Sequence, residues 1–233
     1  MIAPKVLLSF LAGAGSALAG PVILLVGDST VATQSTSAGS GPARGWGQML
    51  PEFFAEDVTI RNAAVNGRSS KSFLDEGRWE KALAEKPDYV FVLWGTNDAN
   101  KDPVRHTDPD STFREYLQRY IADAKAAGAT PVLVTPSAYR GFSPSGVFKD
   151  TLTPYVEAMR AVAADKQVPL IDLNAATVAL YEGLGPEESE KLAAKEGDRT
   201  HFNEAGARKM AEIVANGIPE AVPELKAHLA APK

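Results

Sequence analysis

Short unbroken apolar runs alternate along this chain with longer stretches in which apolar residues recur every three or four positions. The first run, Val22-Ile23-Leu24-Leu25-Val26, contains no polar residue. Such a run marks a strand buried on both faces, as in the middle of a parallel sheet. It stops at Gly27, where a tight turn is needed. Ser29 then sits at the strand's carboxyl end, the edge where open α/β sheets hold their ligands. The same reading predicts strands at 58–62, 89–93, 131–134 and 168–172. Amphipathic helices are predicted over 113–127, closed by Gly128, over 153–164, and over 203–214, with Asn203 as its cap. Strand–helix alternation predicts one α/β domain, 20–233, built on a five-stranded parallel sheet with helices on both sides.

Residues 1–19 read differently. Lys5 precedes an apolar and small-residue run, and Ala17-Leu18-Ala19 forms a small-x-small cleavage site before Gly20. This is the pattern of a secretory signal peptide, too short and too rich in Gly and Ala for a membrane anchor, so export to the periplasm or medium is expected. The net charge of −5, with no long basic run, argues against nucleic acid or an anionic membrane as partner. No cysteine is present, which excludes disulfides, zinc thiolates and cysteine nucleophiles.

If the strands are parallel, the segments that follow them share one edge. Those segments are Asp28-Ser29, then Asn66-Gly67-Arg68-Ser69-Ser70, then Gly95-Thr96-Asn97-Asp98, then 135–150; Asp198-Arg199-Thr200-His201 precedes the last helix. Each has an ordinary structural reading alone, as helix cap or turn. Together they hold what ester cleavage needs. A serine requires an adjacent base to take its proton. Of three histidines, His106 and His228 lie in polar or Ala/Pro-rich surroundings. His201 has Asp198 three residues earlier, a spacing that lets a carboxylate orient the imidazole. The N–H of Ser29, the N–H of Gly67 and the side-chain amide of Asn97 can converge as donors to an oxyanion, with glycine at 67 admitting close approach of backbone to substrate.

In this order, Gly27-Asp28-Ser29, Gly67, Gly95-x-Asn97-Asp98 and Asp198-x-x-His201 resemble the four blocks of the SGNH (GDSL-type) hydrolase superfamily. The fuller wording around Ser29-Thr30, Asn66 to Ser70 and Asp198 to Asn203 resembles its rhamnogalacturonan acetylesterase branch, carbohydrate esterases that deacetylate pectin. The resemblance implies a three-layer α/β/α, flavodoxin-like fold and no metal or other cofactor. It implies Ser29 as nucleophile, His201 as base, Asp198 as its orienting partner, and Ser29, Gly67 and Asn97 as the oxyanion hole. The chain departs from the branch at Thr96, where histidine is often found. The Gly-x-Ser-x-Gly elbow of α/β-hydrolases is absent around Ser29.

An acetylated polysaccharide is thus the expected substrate, and a monomer the expected form. Arg68, Arg140 and Arg199, with Arg44 and Lys71, fall in or beside the site loops and suit uronate carboxylates. Tyr139, Phe142 and Phe148 offer faces for sugar stacking or for the core. Acetylxylan, lysophospholipid and thioester substrates remain open within the superfamily, as does a non-catalytic carbohydrate-binding role. A metal held by Asp28, Asp98, Asp198 and His201 is the weaker reading, since each has a role without one.

Overall fold

Alternate side chains of the first strand enter different cores, and this sets the layering. In β1 (Val22–Val26), Ile23 and Leu25 pack into one apolar cluster while Leu24 and Val26 pack into the other. β3 (Tyr89–Leu93) repeats the division, with Phe91 and Leu93 on the first side and Val90 and Val92 on the second. β4 (Thr130–Val134) follows it too. Continuous apolar strands therefore feed two cores at once, as expected of a parallel sheet covered on both faces.

The computed structural model describes residues 20–39 and 41–231; residues 1–19, where a signal peptide is expected, lie outside the described residues. With β2 (Thr59–Asn62) and β5 (Leu170–Ile171), the strands form one sheet in the order β2-β1-β3-β4-β5, every pair parallel. The first core is closed by α1 (Trp46–Met49) and α7 (Glu204–Ala221), with α6 (Leu173–Glu190) packed beside α7. The second is closed by α2 (Ser70–Asp75), α3 (Arg78–Leu83), α4 (Thr112–Ala126) and α5 (Thr153–Lys166). The chain runs outward to β2 on one side of β1 and then returns to β3 on the other. The carboxyl ends of β1 and β3 thus flank the switch point of the strand order, the crevice where this topology binds ligands.

Four predicted strands lie within one residue of their expected bounds and the helices predicted over 113–127 and 153–164 within two, while the helix predicted over 203–214 runs on to Ala221. The fifth strand is shorter than 168–172. Pro169 has no N–H to give to the ladder, and Asp172 has already turned to cap α6, its Oδ1 accepting the Ala175 N–H at 3.1 Å. α6 itself was not expected from the pattern, which Gly183, Gly185 and Pro186 interrupt. The chain does break there: Gly185 adopts φ 72°, and Pro186 opens a second helical segment within the element. Among the described residues no helix is long and apolar enough to cross a membrane.

Candidate active site

The turn after β1 is built around Asp28. Its Oδ1 accepts both the N–H (2.8 Å) and the hydroxyl (2.7 Å) of Thr30, folding the chain back immediately after the strand. Gly27 is needed on steric grounds, since a Cβ there would stand 2.7 Å from Val31 Cγ2. Burial raises the Asp28 pKa, opposed by the Thr30 bonds, by nearby His201 and by the Thr96 hydroxyl. Thr96 thus adjoins Asp28 behind Ser29.

Ser29 leaves this turn with its Oγ 2.9 Å from His201 Nε2, across 172 positions of sequence. On the far side of the ring, Nδ1 lies 3.0 Å from Asp198 Oδ2. The other carboxylate oxygen, Oδ1, accepts the N–H of Thr200 (2.9 Å) and of His201 (2.8 Å). Partial burial pushes the Asp198 pKa up, but these two backbone bonds and the imidazole push it down further, and the net shift is downward. The carboxylate therefore stays ionised through the neutral range and favours a proton on Nδ1, leaving Nε2 free to accept from Ser29. A lowered carboxylate pKa contributes stability above its unfolded value, lost only as pH falls through the lowered one.

The loop carrying Asp198 and His201 is held from behind by Arg140. Its backbone N–H donates to Arg199 O at 3.0 Å, and its guanidinium Nη2 donates to the carbonyls of Asp198 (2.8 Å) and His201 (2.5 Å). Arg140 is only 3 % exposed and packs over the rings of Phe202 and Tyr181. This corrects the expectation that Arg140 meets substrate: its charge is turned onto the backbone of the loop. Arg68, likewise expected at the substrate, pairs with Glu76 and donates to Asn66 O at 2.9 Å. Arg44 donates to neighbouring carbonyls, and Lys71 to Pro103 O. Arg199 is exposed and without an acceptor among the described residues.

Opposite His201 lie the loops after β2 and β3. Gly67 has φ 74°, the left-handed region that favours glycine, and an added Cβ would meet nothing within 4 Å. Its glycine is thus a requirement of backbone conformation rather than of space. Among the described residues, neither the Ser29 N–H nor the Gly67 N–H has an acceptor. Asn97 Nδ2 donates to Arg68 O at 3.0 Å, which leaves the second amide hydrogen free. Ser29, Gly67, Asn97, Asp198 and His201 line one cleft of about 440 Å³. Gln34 and Lys195 line it too, from the Ser/Gly-rich stretch 34–44 and the acidic stretch 187–196, which the sequence offered either as flanks of the crevice or as solvated surface; Arg105 also lines it and was not singled out. Gln34 forms a reciprocal amide pair with Asn66 (2.7 and 2.9 Å) and donates to Ser29 O.

Asp98, next to Asn97, ties these loops together. Fully buried, it accepts from Ser70 N and Oγ, Gly95 N and Thr107 Oγ1, while Ser69 caps α2 in a reciprocal box with Ser72. Burial outweighs the four donors and lifts the Asp98 pKa from 3.8 to about 6. The folded state then binds a proton more tightly than the unfolded chain, so this group's contribution to stability falls as pH rises from about 4 to 6, by about 3 kcal/mol. In Asp98→Asn, which cannot ionise, the melting temperature should lie furthest below wild type near pH 4, with the gap narrowing towards pH 7. Thermal unfolding across that range checks this; parallel curves would remove Asp98 as the titrating group.

Residues 25–209 match the GDSL-like Lipase/Acylhydrolase family, a span that contains every residue of this cleft. The chain belongs to that family. Among curated proteins it is 43% identical over 204 residues to the Probable rhamnogalacturonan acetylesterase YesY of Bacillus subtilis, covering 85% of this chain and 92% of that one. It is 40% identical over 222 residues to Rhamnogalacturonan acetylesterase RhgT of the same organism, covering 89% and 93%. Among solved structures, the protein YXIM of Bacillus subtilis superposes with a TM-score of 0.73 at 31% identity, covering 89% of this chain and 56% of that one. The family and these relatives make the protein a carboxylic ester hydrolase with the α/β sheet described above.

Proposed function

We propose that this enzyme removes O-acetyl groups from rhamnogalacturonan through an acetyl-serine intermediate, with Ser29 as nucleophile. The observation that carries the chemistry is the Ser29–His201–Asp198 chain of contacts, at 2.9 and 3.0 Å, standing at the switch point of the sheet beside two unengaged backbone N–H groups. The relatives' names support the pectic substrate. As Ser29 Oγ attacks the acetyl carbonyl carbon, its proton passes to His201 Nε2, and Asp198 stabilises the imidazolium. The carbonyl oxygen becomes an oxyanion facing the N–H groups of Ser29 and Gly67 and the free amide hydrogen of Asn97. Collapse breaks the bond to the sugar oxygen, which takes the proton from His201. Water then gives a proton to His201 and attacks the acetyl-serine, and acetate leaves as Ser29 recovers its hydrogen.

Asn97→Ala removes one oxyanion donor and should lower kcat by about 10²–10³-fold with KM little changed. Steady-state kinetics on a small acetyl ester measure this, and an unchanged kcat would take Asn97 out of the reaction. The substrate reading is tested by acetate release from acetylated rhamnogalacturonan and acetylated xylan. Release from the pectic polymer that vanishes in Ser29→Ala supports it; release from xylan alone keeps the mechanism and discards the pectin. The pattern of residues 1–19 supports export, which amino-terminal sequencing of the protein released by its native host would check. A mature chain beginning near Gly20 is the expected result.

A further inference from the structure

Against the Asp198–His201 loop lies a second cleft of about 390 Å³, lined by Tyr139, Phe142, Lys149, Arg199 and Thr200 among others. It is a built feature rather than a gap between loops. Phe142 and Phe148 bridge as an antiparallel pair with their rings edge to face, 5.3 Å apart. The Lys149 N–H donates to Gly141 O at 2.8 Å, and Ser143 N to Val147 O at 2.8 Å, so residues 141–149 form a small hairpin. Arg140 fastens this hairpin to the His201 loop through Arg199 O.

Two lining residues of this cleft are tied to residues at the first one. Thr200 adjoins His201 and bonds Asp198. Tyr139 donates to the carbonyl of Thr96, the residue before Asn97, at 3.2 Å. The cleft is therefore built onto the Asp198–His201 loop and the turn that carries Asn97.

Its charge sets it apart. Every other arginine of the chain has an acceptor for its guanidinium: carboxylates for Arg61, Arg78, Arg105, Arg119 and Arg208, for example, and backbone carbonyls for Arg44 and Arg140. Arg199 alone has none among the described residues, and the Lys149 ammonium has none either. In a chain carrying 29 acidic against 24 basic residues, two unpartnered cations meet at one aromatic-walled cleft on the loop that carries His201. An anionic ligand with an apolar ring face fits that combination.

We propose that this cleft is a subsite for a hexuronate unit of the polymer backbone, with Lys149 and Arg199 holding its carboxylate and Phe142 its ring. This rests on the pectic reading above, and the experiment separates the two. Acetylated rhamnogalacturonan oligosaccharides are offered in native form and with their carboxylates reduced to alcohols. The enzymes are wild type, Lys149→Gln/Arg199→Gln and Lys149→Arg.

On the native form, loss of both cations should raise KM tenfold or more while kcat changes little, and Lys149→Arg should keep a KM near wild type. For wild type, carboxyl reduction should produce the same rise, and the double substitution should add nothing on the reduced form. A double variant whose KM on the native oligosaccharide equals wild type overturns the subsite alone. So does one whose KM rises equally on both forms, because the carboxylate is then not what the cations hold. Wild-type enzyme that releases acetate from neither form overturns the pectic reading, and the subsite with it.

Discussion

Ser29→Ala should lower kcat on any acetyl ester by about 10⁵–10⁶-fold, the loss typical when a nucleophile that works with a base and an orienting carboxylate is removed. The side chain contributes one hydrogen bond, to His201, and no core packing, so the variant should fold and melt close to wild type. Residual activity would come from the oxyanion donors and from binding alone. Ser29 and His201 act as one unit, so Ser29→Ala/His201→Ala should be no slower than Ser29→Ala. Progress curves on a small acetyl ester at high enzyme concentration measure both. If Ser29→Ala retained more than a few per cent of the rate, the nucleophile would have to be sought elsewhere. Ser69 and Ser70 are poor replacements, because both are buried, one capping α2 and the other bonded to Asp98.

Asp198→Asn should cost about 10³–10⁴-fold in kcat, and the reason lies in which atoms each carboxylate oxygen faces. Oδ1 accepts two backbone N–H groups and must remain an oxygen in the variant, so the new amide nitrogen takes the place of Oδ2, 3.0 Å from His201 Nδ1. An amide donor there forces Nδ1 to accept and puts the ring proton on Nε2. A protonated Nε2 points a donor at Ser29 Oγ and cannot receive its proton. The loop geometry should survive, since both backbone bonds persist. Kinetics as a function of pH, with a melting curve as control, measure the effect. A fall of tenfold or less would mean that Asp198 holds the loop without setting the tautomer.

Much of this site was legible in the chain because the chemistry needs particular residue types at the ends of particular strands. An apolar run ending in Gly27-Asp28-Ser29 can only place its serine at the carboxyl edge, and the same holds for Asn97 after β3. Asp198 and His201 were legible for a local reason: three residues of turn suffice to bring the carboxylate to the ring. The Arg140 assignment failed because a loop arginine carries the same sequence signal whether its guanidinium meets solvent, substrate or a backbone carbonyl. Only the packing of Phe202 and Tyr181 around it decides. Lys149 was passed over for the converse reason, since nothing in sequence tells a cation at a cleft from one on an open surface.

The sequence by itself determined the fold class and named the residues proposed to react. Both follow from local physics: side-chain periodicity sorts residues to faces, and strand ends collect the turns. The tertiary structure decided which groups meet. A separation of 172 positions between Ser29 and His201 is closed by the packing of α7 on α1 and by the Arg44 N–H bond to Phe202 O, with Arg140 holding the loop. It also decided which cations are spent, because an ion pair depends on distances that chain order does not encode. Arg68 is spent on Glu76, and Arg199 remains unpartnered beside the site.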